Sequence, residues 1–279
     1  MSDSILKQIH SAIGNLDPRE VRLQAEKPFR VGVLAADERG YQRLARFLLP
    51  DGLSDRKAEQ AAGRILRVEQ ATDFERCDFG LVADHGPAPP HFYPLDQAVA
   101  RFIDGHEDLW IAVARLFPAF RNAVVDKLVA RIARENAVFS IATALPNVAP
   151  FLGLPWAAGE FASDTAFLTL NQIRLAFLIA AASDSPVGYG EQKGQIASLI
   201  TSAFGWRAVA RELVGKIPLG GGIVPKAAIA FAGTYVVGMG LDRYQRVGKG
   251  LTAQEKRELY SRALERGHQL VHEILDRRG

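Results

Sequence analysis

Hydrophobic positions along this chain change their period near residue 95. Before it, short apolar runs are set between polar, helix-like stretches. Phe29–Ala36 (FRVGVLAA) predicts a buried strand, and Ile65–Glu69 and Asp78–Ala83 (DFGLVA) predict two more. Leu44, Phe47 and Leu48 recur at helical spacing after the first strand. Residues 4–26 predict one or two short helices broken at Asn15–Pro18, where Asp17 before Pro18 is a helix-start signal. The stretch HGPAPPHFYP, 85–94, suits neither a strand nor a helix and marks a boundary. Residues 1–94 therefore predict a small α/β module of about three strands.

From residue 95 the pattern is helical. Phe120, Val124, Leu128 and Ile132 fall at steps of four, with Val125 and Val129 beside them and Arg121, Lys127, Arg131 and Arg134 at polar positions, so 119–135 predicts an amphipathic helix. It runs into Asn136–Gly159, 24 residues without a charge, a length that suits a bilayer crossing. Pro146, Pro150 and Pro155 interrupt it, which favours a bent or re-entrant passage or a buried helix–turn–helix. Thr165–Ala182 predicts a helix stopped by SDSPVGYG, 183–190, and Gln195–Phe204 begins another. After the connection IPLGGGIVP, 217–225, comes Ala227–Leu241, uncharged and rich in Gly and Ala. Ala230, Thr234 and Gly238, four apart, would let a second helix approach closely. Thr252–Glu255 has the capping-box form and opens a charged terminal helix to Asp276. The expected fold class is α+β, with an all-α domain over 95–279 carrying Gly/Ala-rich apolar hairpins.

Charge sharpens this partition. Phe139–Gly250 holds 15 charged residues in 112 positions, against 50 in the other 167. The net charge of +3 comes from interspersed basic and acidic residues, which gives no nucleic-acid footprint. Cys77, the single cysteine, rules out an internal disulfide and suits a reducing compartment. The N-terminus lacks a basic segment followed by an apolar run, so the expected location is the cytoplasmic side, with possible inner-membrane association.

Candidate chemistry is sparse. Phe29–Leu49 begins like a phosphate-binding strand–loop–helix. With Gly40 as the penultimate glycine, however, Ala35 replaces the first and Tyr41-Gln42 replaces the Lys-Ser/Thr pair. Asp37 and Glu38 would repel a polyphosphate, leaving only Arg39 or Arg43 as partial substitutes. His268 and His272 lie one helical turn apart, but no third metal ligand is close in sequence, and His85 and His91 flank the proline stretch as loop residues. Gly220–Gly222 has no preceding strand and suits a hinge better than an anion nest. No catalytic, cofactor or metal residue is expected, and the chain is expected not to be an enzyme. The polar residues that stand out are Asn171, Gln172 and Arg174 inside an apolar helix. They would face a bundle interior in a membrane, or an exposed stripe in a soluble bundle.

The stretch ALPNVAPFLGLPWAAGEFASDTAFLTLNQIRLAFLIA, the Gly-rich connection after it, and AAIAFAGTYVVGMGLDRY together resemble the YcjF-type bacterial helical domain of unknown function, over about 133–243. Pro146, Pro150, Asp164, Gln172 and Thr234 match its pattern of a Pro/Gly break, an Asp helix start, a helical glutamine and a late small-residue helix with a threonine. Members carry the domain alone or behind a GTPase domain, so the resemblance implies that residues 1–94 are a shrunken or imitated nucleotide domain. The expected role is a non-catalytic helical protein that associates with an anionic membrane surface or a partner, as an adaptor for a separate GTPase. The alternatives are a soluble, self-associating bundle and a degenerate nucleotide-binding protein.

Overall fold

The computed structural model describes residues 16–83, 89–144, 164–199 and 223–276. The chain divides into two compact units. One, Arg19–Lys127 with Ala181–Pro186, is α/β; the other, which includes Leu128–Ala180 and Val187–Gly279, is helical. The sequence boundary at 94 thus falls inside the span of the α/β unit.

In the α/β unit, α1 (Pro18–Glu26) starts on the proline that follows Asp17, where the missing N–H costs the helix nothing. Then come β1 (Val31–Leu34), α2 (Glu38–Leu48), α3 (Asp55–Ala62), β2 (Ile65–Arg67), β3 (Phe79–Val82) and β4 (Phe92–Pro94). All pairings are parallel, in the order β2-β1-β3-β4. The near-continuous burial of VGVL and FGLV is what a parallel sheet covered on both faces requires.

The fourth strand corrects the sequence expectation, because it lies within the proline stretch 85–94, which by its pattern suits neither a strand nor a helix. Two facts allow it. β4 is an edge strand, where Pro94 forfeits no pairing on its open side. Phe92 also lays its ring over Gly32 and Gly80, which are register partners on β1 and β3. A Cβ on Gly80 would come within 2.1 Å of that ring, and one on Gly32 within 2.5 Å. The two glycines form the slot that seats the edge strand.

Beyond residue 95 the same unit continues through α4 (Ala98–Gly105), α5 (Trp110–Leu116) and the first part of α6 (Pro118–Ala144). Phe102 and Phe120 bring their rings to 4.8 and 5.9 Å from Phe79 of β3, and all three are fully buried. Asp184, at a positive φ of 55°, accepts from Lys57 at 2.7 Å and Arg115 at 2.9 Å. Burial opposes its charge, but the two cations outweigh that penalty and hold the carboxyl below its ordinary range.

The helical unit is built from α6 beyond Leu128, α7 (Asp164–Ala182), helical residues 193–199, α8 (Ile223–Val247) and α9 (Ala253–Asp276). Ala133, Ala137 and Ile141 of α6, Ala227 and Phe231 of α8 and Val271 of α9 form one buried cluster. The uncharged 24-mer begins inside α6, and its remainder lies outside the described residues, as do Gly220–Gly222 and most of the connection before α8. Pro225 falls in the first turn of α8, where a proline is tolerated. Gly248, at φ 69°, ends α8 in the left-handed conformation that favours glycine, and its N–H reaches the Tyr244 carbonyl at 2.8 Å. The terminal capping box forms as expected. Glu255 accepts from the Thr252 N–H at 2.8 Å, and the Thr252 hydroxyl accepts from the Glu255 N–H at 3.3 Å.

Candidate functional site

The strand–loop–helix corner after β1 is satisfied by its own residues. Asp37 is the N-cap of α2, with its carboxylate accepting from the Gly40 N–H at 2.7 Å. That amide belongs to the group a phosphate would use at a helix N-terminus. Glu38 pairs with Arg67 at 2.9 Å, and the Arg67 guanidinium lies 4.5 Å from the centre of the Tyr41 ring. Arg43 donates to the Ala83 carbonyl at the end of β3. Gly40 and Ala83 approach closely, since a Cβ on Gly40 would sit 3.0 Å from that of Ala83. In an open parallel sheet the ligand crevice lies where the strand order reverses, here between the carboxyl ends of β1 and β3. Ala83 and the Arg43 side chain lie at that position. The arrangement can cap a helix and lock a strand end.

A second polar cluster lies near β4. The Tyr93 hydroxyl and His106 Nε2 are 3.0 Å apart, and the His91 ring is 5.8 Å from that of His106. Burial, followed by the His91 charge, pushes the His106 imidazole below its ordinary value. His85 lies outside the described residues. Among the described residues no group of three or more His, Cys, Asp or Glu is placed to hold a metal, His268 and His272 included.

The helical unit brings together the residues singled out in the sequence. Asn171 of α7 donates through Nδ2 to Asn136 Oδ1 at 2.8 Å, and Asn136 Nδ2 donates to the Thr234 hydroxyl of α8 at 2.7 Å. All three are buried, so one amide ties three helices together. Gln172 is buried as well, while Arg174 is half-buried and pairs with Glu135 at 3.3 Å. Asn171 and Gln172 are therefore not on an exposed stripe. Ala230, Thr234 and Gly238 are all buried on α8. A Cβ on Gly238 would press to 2.7 Å from both Val129 methyls and 2.9 Å from a Leu175 methyl, so α8 meets α6 and α7 there at glycine distance.

Asn136, the hub, was missed by sequence reasoning. Its signal was available: it opens the uncharged run, and Ser140, one turn on, is also buried.

α8 has a further property. Val224–Val247 is long and apolar enough to cross a membrane, with a mean hydropathy of 1.3, yet only 56% of its most apolar window is buried within the fold. Val247 and Tyr244 are among its exposed large side chains, and Arg243, Arg246 and Lys249 gather at the same end. Neither a family model, nor a curated protein, nor a solved structure matches the chain.

Proposed function

We propose that the chain is a non-catalytic helical protein that associates with an anionic membrane surface through α8, on the cytoplasmic side of an inner membrane. One observation carries this reading: among the described residues, the one helix long and apolar enough to cross a membrane is incompletely covered and ends in Arg243, Arg246 and Lys249, of which the two arginines also pair with Glu255 and Asp242. Uncovered apolar area gains about 25 cal/mol per Å² on leaving water, and each Lys or Arg near an anionic leaflet adds roughly 1 kcal/mol. The resemblance to the YcjF-type domain, which rests on sequence pattern alone, adds the role of adaptor for a separate GTPase. The competing reading is a bundle satisfied within itself or as a homodimer, and it draws on the buried Asn136–Asn171–Thr234 chain.

Flotation with lipid vesicles separates the two. The protein is expected to float with vesicles containing phosphatidylglycerol, and less with neutral phosphatidylcholine. Val247→Glu, at a position 60% exposed, is expected to cut the bound fraction about tenfold without lowering the melting temperature. Recovery of the unmodified protein in the detergent-free soluble fraction, with no flotation, would decide for the self-satisfied bundle.

A further inference from the structure

The helical unit contains a groove of about 420 Å³ between helical residues 193–199, the C-terminal half of α8 and the start of α9. Five of its twelve lining residues are aliphatic (Leu199, Val236, Val237, Leu241 and Leu251) and three are glycines, while Gln195, Ser198, Tyr244 and Lys256 supply polar groups, Lys256 alone being charged. The volume sits at the lower end of the roughly 300–1,000 Å³ of small-molecule sites. The groove is open along one side, and its aliphatic wall with one cation at the end is complementary to an apolar chain that carries an acidic head.

The glycines of the lining differ from those of the helix contacts. A Cβ on Gly238 or Gly267 would strike neighbouring atoms at 2.7 to 3.0 Å, so those two are explained by close packing. At Gly240, inside the same helix, an added Cβ would meet only a Leu251 methyl at 3.8 Å; at Gly194 and Gly250 it would meet nothing within 4 Å. A glycine inside a helix costs about 0.5–1 kcal/mol relative to alanine. At Gly240 no close helix contact offsets that cost; Gly233 on the same helix is equally open but lies outside the lining, whereas at Gly240 the open space belongs to the groove.

Residues 242–258 contain five cations and three carboxylates. Arg246 pairs with Asp242 at 2.5 Å and Arg243 with Glu255 at 2.5 Å, which accounts for two of the carboxylates. Lys249, Lys256 and Arg257 are exposed, and of the three Lys256 lines the groove; Glu258 is the remaining acid.

We propose that this groove binds one acyl chain of an anionic amphiphile, with the chain along the Val236–Leu241 wall and the acidic head at Lys256. The proposal rests on the membrane association of α8 only for the source of its ligand. A free fatty acid and a lysophospholipid with an acidic head share this chemistry.

The test uses the full chain and displacement of a fluorescent polyene fatty acid. Palmitate and lysophosphatidylglycerol, each below its micelle-forming concentration, are the two acidic competitors, and monoacylglycerol is the uncharged control. Saturable one-to-one displacement by either acid is expected, and whichever competes better identifies the source. Gly240→Leu fills the groove while improving helix propensity, so it is expected to keep or raise the melting temperature and weaken displacement at least tenfold. Lys256→Glu is expected to weaken the acidic competitors about tenfold and leave monoacylglycerol unchanged. Val247→Glu should cut flotation about tenfold yet retain displacement, which separates failure of the groove from failure of the membrane reading. Non-saturable probe binding, or unchanged displacement in a folded Gly240→Leu variant, would overturn the proposal.

Discussion

Asn136 holds three helices through a single amide, and the consequence of removing it follows from what is left behind. Asn136→Leu strands the Asn171 amide and the Thr234 hydroxyl in an apolar interior. Each unsatisfied buried group costs about 1–3 kcal/mol, so the single variant is expected to lose about 2–5 kcal/mol in denaturant unfolding. The triple change Asn136→Leu, Asn171→Leu and Thr234→Val removes every member together and should recover most of that loss. An unaffected single variant would mean the three groups do not depend on one another. His106 makes a different prediction, in the α/β unit. Tyr93, His91, Asp78 and Asp108 surround it, and burial, ahead of the His91 charge, lowers its folded pKa from the ordinary 6.5. As the pH falls through that ordinary value, the unfolded chain takes up a proton that the folded chain resists. The contribution of His106 is therefore fully present above pH 6.5 and declines below it. His106→Gln should flatten the fall in melting temperature on that acid side, and an unchanged slope would assign it to other groups.

At the scale of the element, the row Ala230, Thr234 and Gly238 gives α8 a face narrow enough for two neighbours at once. Gly238→Val would force side-chain atoms into the methyls of Val129 and Leu175. Overpacking of this kind costs about 1–3 kcal/mol, and the melting temperature is expected to fall accordingly. Gly240→Leu, two residues on, is expected to lack this penalty, so a matching loss at both positions would contradict the difference in packing. Most helices were legible because they carry local signals: Asp17-Pro18, the period-four row from Phe120 to Ile132, and the Thr252–Glu255 box. α3 went unrecognised because DRKAEQAA buries only Ala61 and so shows almost no apolar period. α4 and α5 are short, and neither was distinguished from the general helical character after residue 95.

For the molecule as a whole, the class of fold and the place of its apolar mass are written in local pattern. Short apolar runs bounded by polar, helix-like stretches read as buried strands under helices, and a span with 15 charges in 112 residues concentrates the apolar side chains that burial removes from water. The sequence also showed that the loop after β1 lacks the lysine and hydroxyl of a phosphate site, because those absences are chemical and local. The remaining features arise only on folding. That Phe92 is seated over Gly32 and Gly80, that Asn136 joins Asn171 to Thr234, and that Gly238 is packed while Gly240 is open all depend on residues tens of positions apart meeting in space. No period along one segment encodes which distant partner will cover it. The extent of the α/β unit past residue 94 has the same cause: Phe102 and Phe120 belong to helices by their local pattern, and to the sheet only because the folded chain sets them against Phe79.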